Sequence, residues 1–296
     1  MPDAPELLVV GSVALDTLEG PVGKVKGELG GSAVYFALAA SLLVSVKVVA
    51  PVGRDGVEKV SRAFLGRPID SSQLAVLDAP TYRWTAHQEH GRNVDMGSAD
   101  TIYDHWDPAV PPDFSGWAFV GSMRPDKQAT AMKLLHFARV LSADAMLSYV
   151  QRQTPEAKDV LKRSGWFFCN EQEFAALGGS DPEQFRRQWW LDGLVIKKGP
   201  QGLDAYTADG SLHVPALPRH PAFDTTGAGD AVAGGMLARW LSTGAQRSGL
   251  QDALVCGVAC ASLTIESIGI RGIASATPAL LEERMAEVRE WMKRES

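Results

Sequence analysis

Short, mostly apolar runs set the terms on which this chain can fold. Residues 6–11 read ELLVVG and residues 46–50 read VKVVA, and comparable runs occur at 115–120, 143–147, 165–168 and 193–197. A strand with one wet face alternates apolar and polar residues. A run that does not alternate is a strand covered on both faces, as in a parallel sheet. Between these runs lie stretches with helical spacing, at 32–43 (SAVYFALAASLL, with Ser32 as the expected N-cap), 127–141 and 182–190. Strands alternating with helices predict an α/β fold. The expected form is a three-layer sandwich, a mainly parallel central sheet with helices on both faces.

Two stretches break the rhythm. Residues 13–29 (VALDTLEGPVGKVKGEL) hold two short alternating runs around GPVG, which reads as a hairpin. Residues 79–107 are polar, aromatic and rich in turns, and TYRWTAHQEH alternates like an exposed strand. Together they read as a small antiparallel β lid over a site at the edge of the sheet. Gly20, Gly23, Gly30 and Gly31 give its attachment room to bend. The lid segments interleave with the first sheet strands, so residues 1–296 read as a single domain.

Composition narrows the function classes. With 45% hydrophobic and 22% charged residues, disorder is excluded as the main state. Lys and Arg number 29 against 35 Asp and Glu, a net charge of −6. That balance argues against a general nucleic-acid or anionic-membrane binder, and leaves room for one small phosphorylated ligand in a local pocket. The apolar stretch 33–46 contains serines and stops at Lys47, short of the ~20 residues a membrane-spanning helix needs. The opening MPDAPELLVVGS lacks the basic start of a signal peptide. Cys169, Cys256 and Cys260 form no CxxC pair, which fits a reducing cytoplasm, the expected location.

The sharpest segment is 224–230, DTTGAGD, which runs into AVAGGMLARWL. It delivers Gly227, Ala228 and Gly229 to a helix N-terminus, where unpaired N–H groups and the helix dipole make an anion site. Asp230 then sits in the first turn. It either caps the helix or acts as a general base beside a phosphate cradle. Dinucleotide binding is disfavoured because GAGDAV lacks the third glycine of GxGxxG, and GxxxxGK[ST] is absent.

At this point the chain resembles the PfkB, or ribokinase-like, carbohydrate and nucleoside kinases along nearly its whole length. VVGSVALD looks like the family's first strand with its substrate-side Asp16. Gly30, Gly31 and Ser32 resemble its N-terminal GG signature, and PVGRDG its VGxDxxG stretch. Asn170 to Glu173 matches NxxE, VIKKGPQG the strand and turn beside the nucleotide, and DTTGAGD the second signature.

The resemblance implies an ATP-dependent kinase that moves the γ-phosphoryl group to a hydroxyl of a sugar or small polyol. Asp230 would be the base, and Gly227, Ala228 and Gly229 the anion hole. Asn170, Glu173, Lys197, Lys198, Gly199, Gly202 and Gly229 would serve the nucleotide, with Lys198 free to reach a phosphate. Glu173 would organise Mg²⁺ through water. Asp16, Gly30, Gly31, Ser32, Arg83 and Asp230 would hold the acceptor. Residues Asp224 and Thr226 would border a site for a monovalent cation such as K⁺, built from backbone oxygens there and in the 267–274 turn. Two alternatives are a nucleoside kinase of the same family, which the aromatic lid allows, and a non-catalytic nucleotide- or sugar-sensing protein. Asn170 and Glu173 also have the spacing of a helix-capping pair. One apolar side of the lid offers a surface for a homodimer.

Overall fold

The computed structural model describes residues 7–20, 23–89, 92–218 and 222–295. Strand β1 (Leu7–Val10) is buried along its length, and its side chains divide between two cores. Leu7 and Val9 enter one, Leu8 and Val10 the other. This two-sided burial is why the run carries no polar residue. The chain then leaves for a hairpin, β2 (Ala14–Gly20) and β3 (Gly23–Gly30). It returns through α1 (Ser32–Ala40) to β4 (Val46–Gly53), α2 (Val57–Phe64) and β5 (Ile69–Leu77). A second excursion forms β6 (Arg83–Glu89) and β7 (Arg92–Ala99). Next come β8 (Trp117–Val120), α3 (Pro125–Leu134), β9 (Val140–Asp144), α4 (Leu147–Arg152) and α5 (Thr154–Arg163). They are followed by β10 (Trp166–Asn170), α6 (Glu171–Ala176), α7 (Pro182–Gln188) and β11 (Gly193–Lys197). The hairpin β12 (Leu203–Thr207) and β13 (Gly210–Val214) precedes α8 (Ala228–Ser242), α9 (Leu250–Ile265), α10 (Arg271–Ser275) and α11 (Pro278–Glu295).

The main sheet has nine strands in the order β13-β12-β11-β10-β9-β8-β1-β4-β5. Its pairs are parallel except those made by β12 with its neighbours at one edge. β1 lies between β4 and β8, so the chain builds outward on one side and then reverses to build outward on the other. Such a reversal opens a crevice at the carboxyl ends of the strands. Serines tie this crevice together. Ser32 Oγ donates to Ser122 O at 2.9 Å, and Ser12 N donates to Ser32 Oγ at 3.0 Å.

The lid is a separate sheet of four strands, β3-β2-β6-β7. It is mixed rather than antiparallel. Each hairpin is antiparallel, but β2 pairs with β6 in parallel, Thr17 opposite Thr85. Both excursions leave the core on their first strand, so those two strands run the same way. Residues 101–105 do not belong to the lid. They form a 3₁₀ turn whose Ile102 and Tyr103 are buried in the core. Gly20 and Gly23 flank the far turn of the first hairpin, so only Gly30 and Gly31 lie at its attachment.

Other local expectations shift as well. Gly31, at φ 100°, is the N-cap of α1, and Ser32 is its first helical residue. The helix expected to 141 ends at Leu134, and the strand expected at 143–147 is β9, because residues 140–143 pair with β8. Among the described residues one helical stretch, Arg247–Ile265, is long and apolar enough to cross a membrane by length and composition. Here it is core: Leu254, Cys256, Ala259 and Cys260 are fully buried. All three cysteines are free and buried.

Helices α1, α8 and α9 pack backbone to backbone. A Cβ on Gly234 would lie 2.5 Å from Phe36 O, and one on Gly235 2.6 Å from Cys260 Sγ. This closeness seats the start of α8 directly over the sheet. Gly234→Ala should therefore cost about 1–3 kcal/mol by overpacking, seen as a lower urea midpoint. Gly249→Ala, whose nearest neighbour would be 3.5 Å away, is the matching control and should be near neutral.

Candidate active site

The turn into α8 is built by Gly227, which takes φ 72°, ψ 0° and serves as the N-cap with no side-chain cap. Ala228 N donates to Thr225 O at 3.3 Å, while the N–H groups of Gly227 and Gly229 meet no acceptor among the described residues, and the helix dipole favours an anion there. A Cβ on Gly227 would lie 2.2 Å from the Tyr35 ring, and one on Gly229 2.6 Å from Lys197 Nζ. The loop is therefore pressed between an aromatic ring and an ammonium group, and bulk at either glycine would push it away. Expected anion-hole residues Gly227, Ala228 and Gly229 stand together with Asp230 in this one turn.

Asp230 is half-buried, with Oδ1 shut from solvent and unpartnered. Burial pushes its carboxyl up to about 6, against the pull of Lys197. Asp144, at the end of β9, is buried beside it with an unpartnered Oδ1. Burial first, then the Asp230 charge, raise the Asp144 carboxyl well above the usual range. Glu173 is likewise buried and raised, with Lys197 opposing. Burial works against the Lys197 charge, but Glu173, Asp144 and Asp230 outweigh it and hold the ammonium protonated. Three acids around one ammonium hold a base near neutrality, where proton transfer is most efficient.

Asn170 and Glu173 form a full capping box at α6. Asn170 Oδ1 accepts from Gln172 N and Glu173 N at 2.9 Å each, and Glu173 Oε2 accepts from Asn170 N at 2.7 Å. The cap fixes Glu173 among the other acids. Lys198 is not free to reach a phosphate: its ammonium pairs with Asp204, whose other oxygen contacts His213 Nδ1 at 2.6 Å. Gly199 and Gly202 shape the turn between β11 and β12, and a Cβ on Gly202 would lie 2.1 Å from Val214 O. So of Lys197 and Lys198, the structure brings only Lys197 to the acid cluster.

On the lid side, Asp16 is buried with Oδ1 unpartnered. Burial, then the charges of Asp224 and Asp230, raise it well above its ordinary value, against a hydrogen bond from the Trp84 backbone. Gly30 adjoins it; a Cβ there would lie 2.1 Å from Asp16 Oδ2. A Cβ on Gly31 would meet Ser12 O at 2.4 Å. The Ser32 hydroxyl is occupied by Ser12 and Ser122, so it braces the crevice. Arg83 is held elsewhere: its Nη2 pairs with Asp55 Oδ2 at 2.6 Å, with 46% of the side chain exposed. It ties the lid root to the PVGRDG loop, outside the buried group of Asp16 and Asp230.

Asp224 organises the other wall. Its Oδ1 accepts from Thr226 N at 2.9 Å and Thr226 Oγ1 at 2.6 Å, and its Oδ2 from Gly269 N at 2.9 Å. Both side-chain oxygens are thus engaged, so a monovalent cation there would take backbone carbonyls. Asn93 reaches down from the lid and donates to Thr226 Oγ1 at 2.7 Å and Asp224 Oδ1 at 3.3 Å. Sequence reasoning missed Asn93, Asp144 and Tyr35. Asp144 had a signal, an acid closing an apolar strand at its carboxyl end. Asn93 had none, since its partner lies 131 residues away. Beside Asp224 a cleft opens between the lid tip and the 223–268 region, lined by Leu18, Val25, Asn93, Phe223 and Ile268. It adjoins the buried acids without containing Asp16 or Asp230.

A helix start with unengaged N–H groups, a carboxyl raised to about 6, a buried ammonium and a lid are the parts that phosphoryl transfer calls for. Residues 7–276 match the pfkB family of carbohydrate kinases. The chain belongs to that family and is an ATP-dependent phosphotransferase. A cytidine kinase from Thermococcus kodakarensis is 29% identical over 248 residues, 79% of this chain and 87% of its own. An ATP-dependent ribose-1-phosphate kinase from Halopiger xanaduensis is 28% identical over 270 residues, 86% of this chain and 87% of its own. The nucleoside kinase of Methanocaldococcus jannaschii, an archaeal member of the ribokinase family, superposes with a TM-score of 0.78 at 21% identity. That match covers 96% of this chain and 98% of the other. Among solved structures of this fold, one holds ATP with Mg²⁺ and another fructose, ADP and potassium.

Asp230→Asn should separate the roles of this carboxyl. Turnover is expected to fall about 10²–10⁴-fold while ATP binding is retained. The stability effect has the opposite sign. The folded-state value of about 6 exceeds the ordinary 3.8. The folded protein therefore holds this proton more tightly than the unfolded chain, and stability falls as pH rises through that interval. The variant should melt above wild type at about pH 7.5 and lose the advantage near about pH 4. Near-normal turnover would leave Asp230 a structural residue.

Proposed function

We propose that this chain is a nucleoside kinase, transferring the γ-phosphoryl group of ATP to the hydroxymethyl group of a ribonucleoside. The reading rests on one observation above the others. The half-buried Asp230, with its unpartnered Oδ1, stands in the same turn as the unengaged N–H groups of Gly227 and Gly229. Asp230 takes the proton of the acceptor hydroxyl as that oxygen bonds to the γ-phosphorus. The bond to the bridging oxygen breaks, and ADP leaves. N–H groups at Gly227 and Gly229 hold the charge on the transferred group, and Lys197 balances the buried acids. Mg²⁺ would neutralise phosphate charge, bound by the phosphates and by waters that Glu173 orients. Among the described residues no group of three or more His, Cys, Asp or Glu forms a ready chelate, which suits an ion that keeps its waters.

The acceptor's charge decides between the two kinds of relative. Asp16, Asp224 and Asp230 surround the buried Tyr35, while the charge of Glu28 is paired with Arg271 at 2.7 Å. Carboxyls in so poorly screened a place disfavour an acceptor that already carries a phosphate, such as ribose 1-phosphate, and tolerate a neutral nucleoside. The cleft beside the lid mixes apolar Leu18, Val25 and Phe223 with polar Glu19, Gln88, Asn93 and Asp224, and the Phe223 ring, 47% exposed, offers a face for a base. This replaces the simple sugar or polyol expected from the motifs alone. ATP consumption with Mg²⁺ should be highest with a ribonucleoside in a panel of nucleosides, sugars, polyols and ribose 1-phosphate. A preference for ribose 1-phosphate or a free sugar would overturn the reading.

We propose a second copy against the exposed side of β7, where Val94 and the bulged Met96 are 42% and 63% exposed. Light scattering should give twice the chain mass, and a strict monomer at high concentration would remove the homodimer.

A further inference from the structure

Asn93 is a half-buried residue of the lid that bonds to the 224–230 loop, and the reaction described above gives it no task. It lies on β7 opposite Gln88, one pair from the end of the β6–β7 ladder. Ala99 closes the other end of β7, about 20 Å away at the rise of a strand. A bond so far from the root fixes the angle of the lid better than one at the root. Arg83, Lys59 and Arg271 also tie the lid to the core, through Asp55, the carbonyl of Gly27 and Glu28. All three cations are exposed side chains, and none of these contacts reaches residues 224–230.

The chemistry of the groups sets the direction of these bonds. Thr226 has a single hydroxyl proton, and Asp224 Oδ1 takes it at 2.6 Å. Thr226 Oγ1 is then left to accept, and Asn93 Nδ2 donates to it at 2.7 Å and to Asp224 Oδ1 at 3.3 Å. The amide turned the other way would set its carbonyl oxygen against a carboxylate. Asp224 and Thr226 are buried, so the lid reaches a pair of groups shielded from water. Thr226 directly precedes Gly227, and its own N–H donates to Asp224 Oδ1 at 2.9 Å. The lid therefore grips the side chains at the entry to the turn whose Gly227 and Gly229 N–H groups are unengaged. Resting on the role proposed above for those groups, we propose that Asn93 is a positioning residue for phosphoryl transfer. It acts through the Thr226 hydroxyl and holds the loop in register beneath the lid.

Asn93→Ala, Thr226→Val and the double variant test this, assayed with ATP, Mg²⁺ and the acceptor that wild type prefers. Asn93→Ala should lower kcat about tenfold, less than the ~10²-fold of a 1 Å displacement at the chemistry. The KM for ATP and the Tm should stay at wild-type values. The double variant should lose no more than Thr226→Val alone, because one hydroxyl carries both effects. Asn93→Asp keeps the size, removes the donor and sets a second carboxylate against Asp224, so it should lose no less than Asn93→Ala. Losses that multiply in the double variant overturn the proposal, since a role in stability alone is independent of Thr226. So do a wild-type kcat in Asn93→Ala, recovery in Asn93→Asp, or a loss confined to the KM of the acceptor. The function proposed above fails on other evidence, near-normal turnover of Asp230→Asn or a different preference in the acceptor panel. The same cycle is then read on the preferred acceptor, and its outcomes uphold or overturn the role of Asn93 in the same way.

Discussion

Lys197 set against Asp144, Glu173 and Asp230 is the interaction on which the site depends. Burial drives each acid toward its neutral form. The ammonium offsets that drive at Asp230, so its carboxyl is raised only to about 6, which on the reading proposed above leaves it able to take a proton. Such a cluster needs a parallel sheet. β9, β10 and β11 are adjacent and run the same way, so Asp144, the Asn170–Glu173 cap and Lys197 emerge at one edge. α8 then adds Asp230 from above, held close by Gly234 and Gly235, which let it approach α1 and α9.

The layers of the fold were legible in the sequence because burial on two faces writes itself into consecutive residues, as at Leu7 to Val10. The loop at Asp224 to Asp230 was legible because its work is done by backbone, and only glycine and alanine permit that backbone. Boundaries were less so: Val140 is a strand residue because it pairs with Trp117, and no local periodicity records that. The roles of charged side chains were least legible. Lys197 and Lys198 are neighbours with identical chemistry, and the pleat sends one to the acids and the other to Asp204. Arg83 looked suited to a ligand and is engaged by Asp55, a partner 28 residues away in the chain. Tyr35 looked like one more apolar member of a core helix.

Asp16, Asp224 and Asp230 converge from the lid, the 224–230 loop and α8, with Glu28 beside them paired to Arg271. On the nucleoside reading proposed above, a neutral acceptor meets hydrogen-bond acceptors there, whereas an anionic one meets repulsion in a poorly screened space.

The parallel contact of β2 with β6 has a consequence for how the molecule assembles. Between Thr17 and Thr85 the chain forms β3, α1, β4, α2 and β5, which carry residue 85 back beside residue 17. Pairings this distant in sequence carry a loop-closure cost that the sheet offsets. A chain that stops short of β6 therefore lacks the partner strand of that cover. The Asp230 loop is later still, arriving with the last third of the chain. Phosphoryl-transfer competence is thus confined to the completed fold, and an incompletely folded chain has neither the base nor the roof with which to waste ATP.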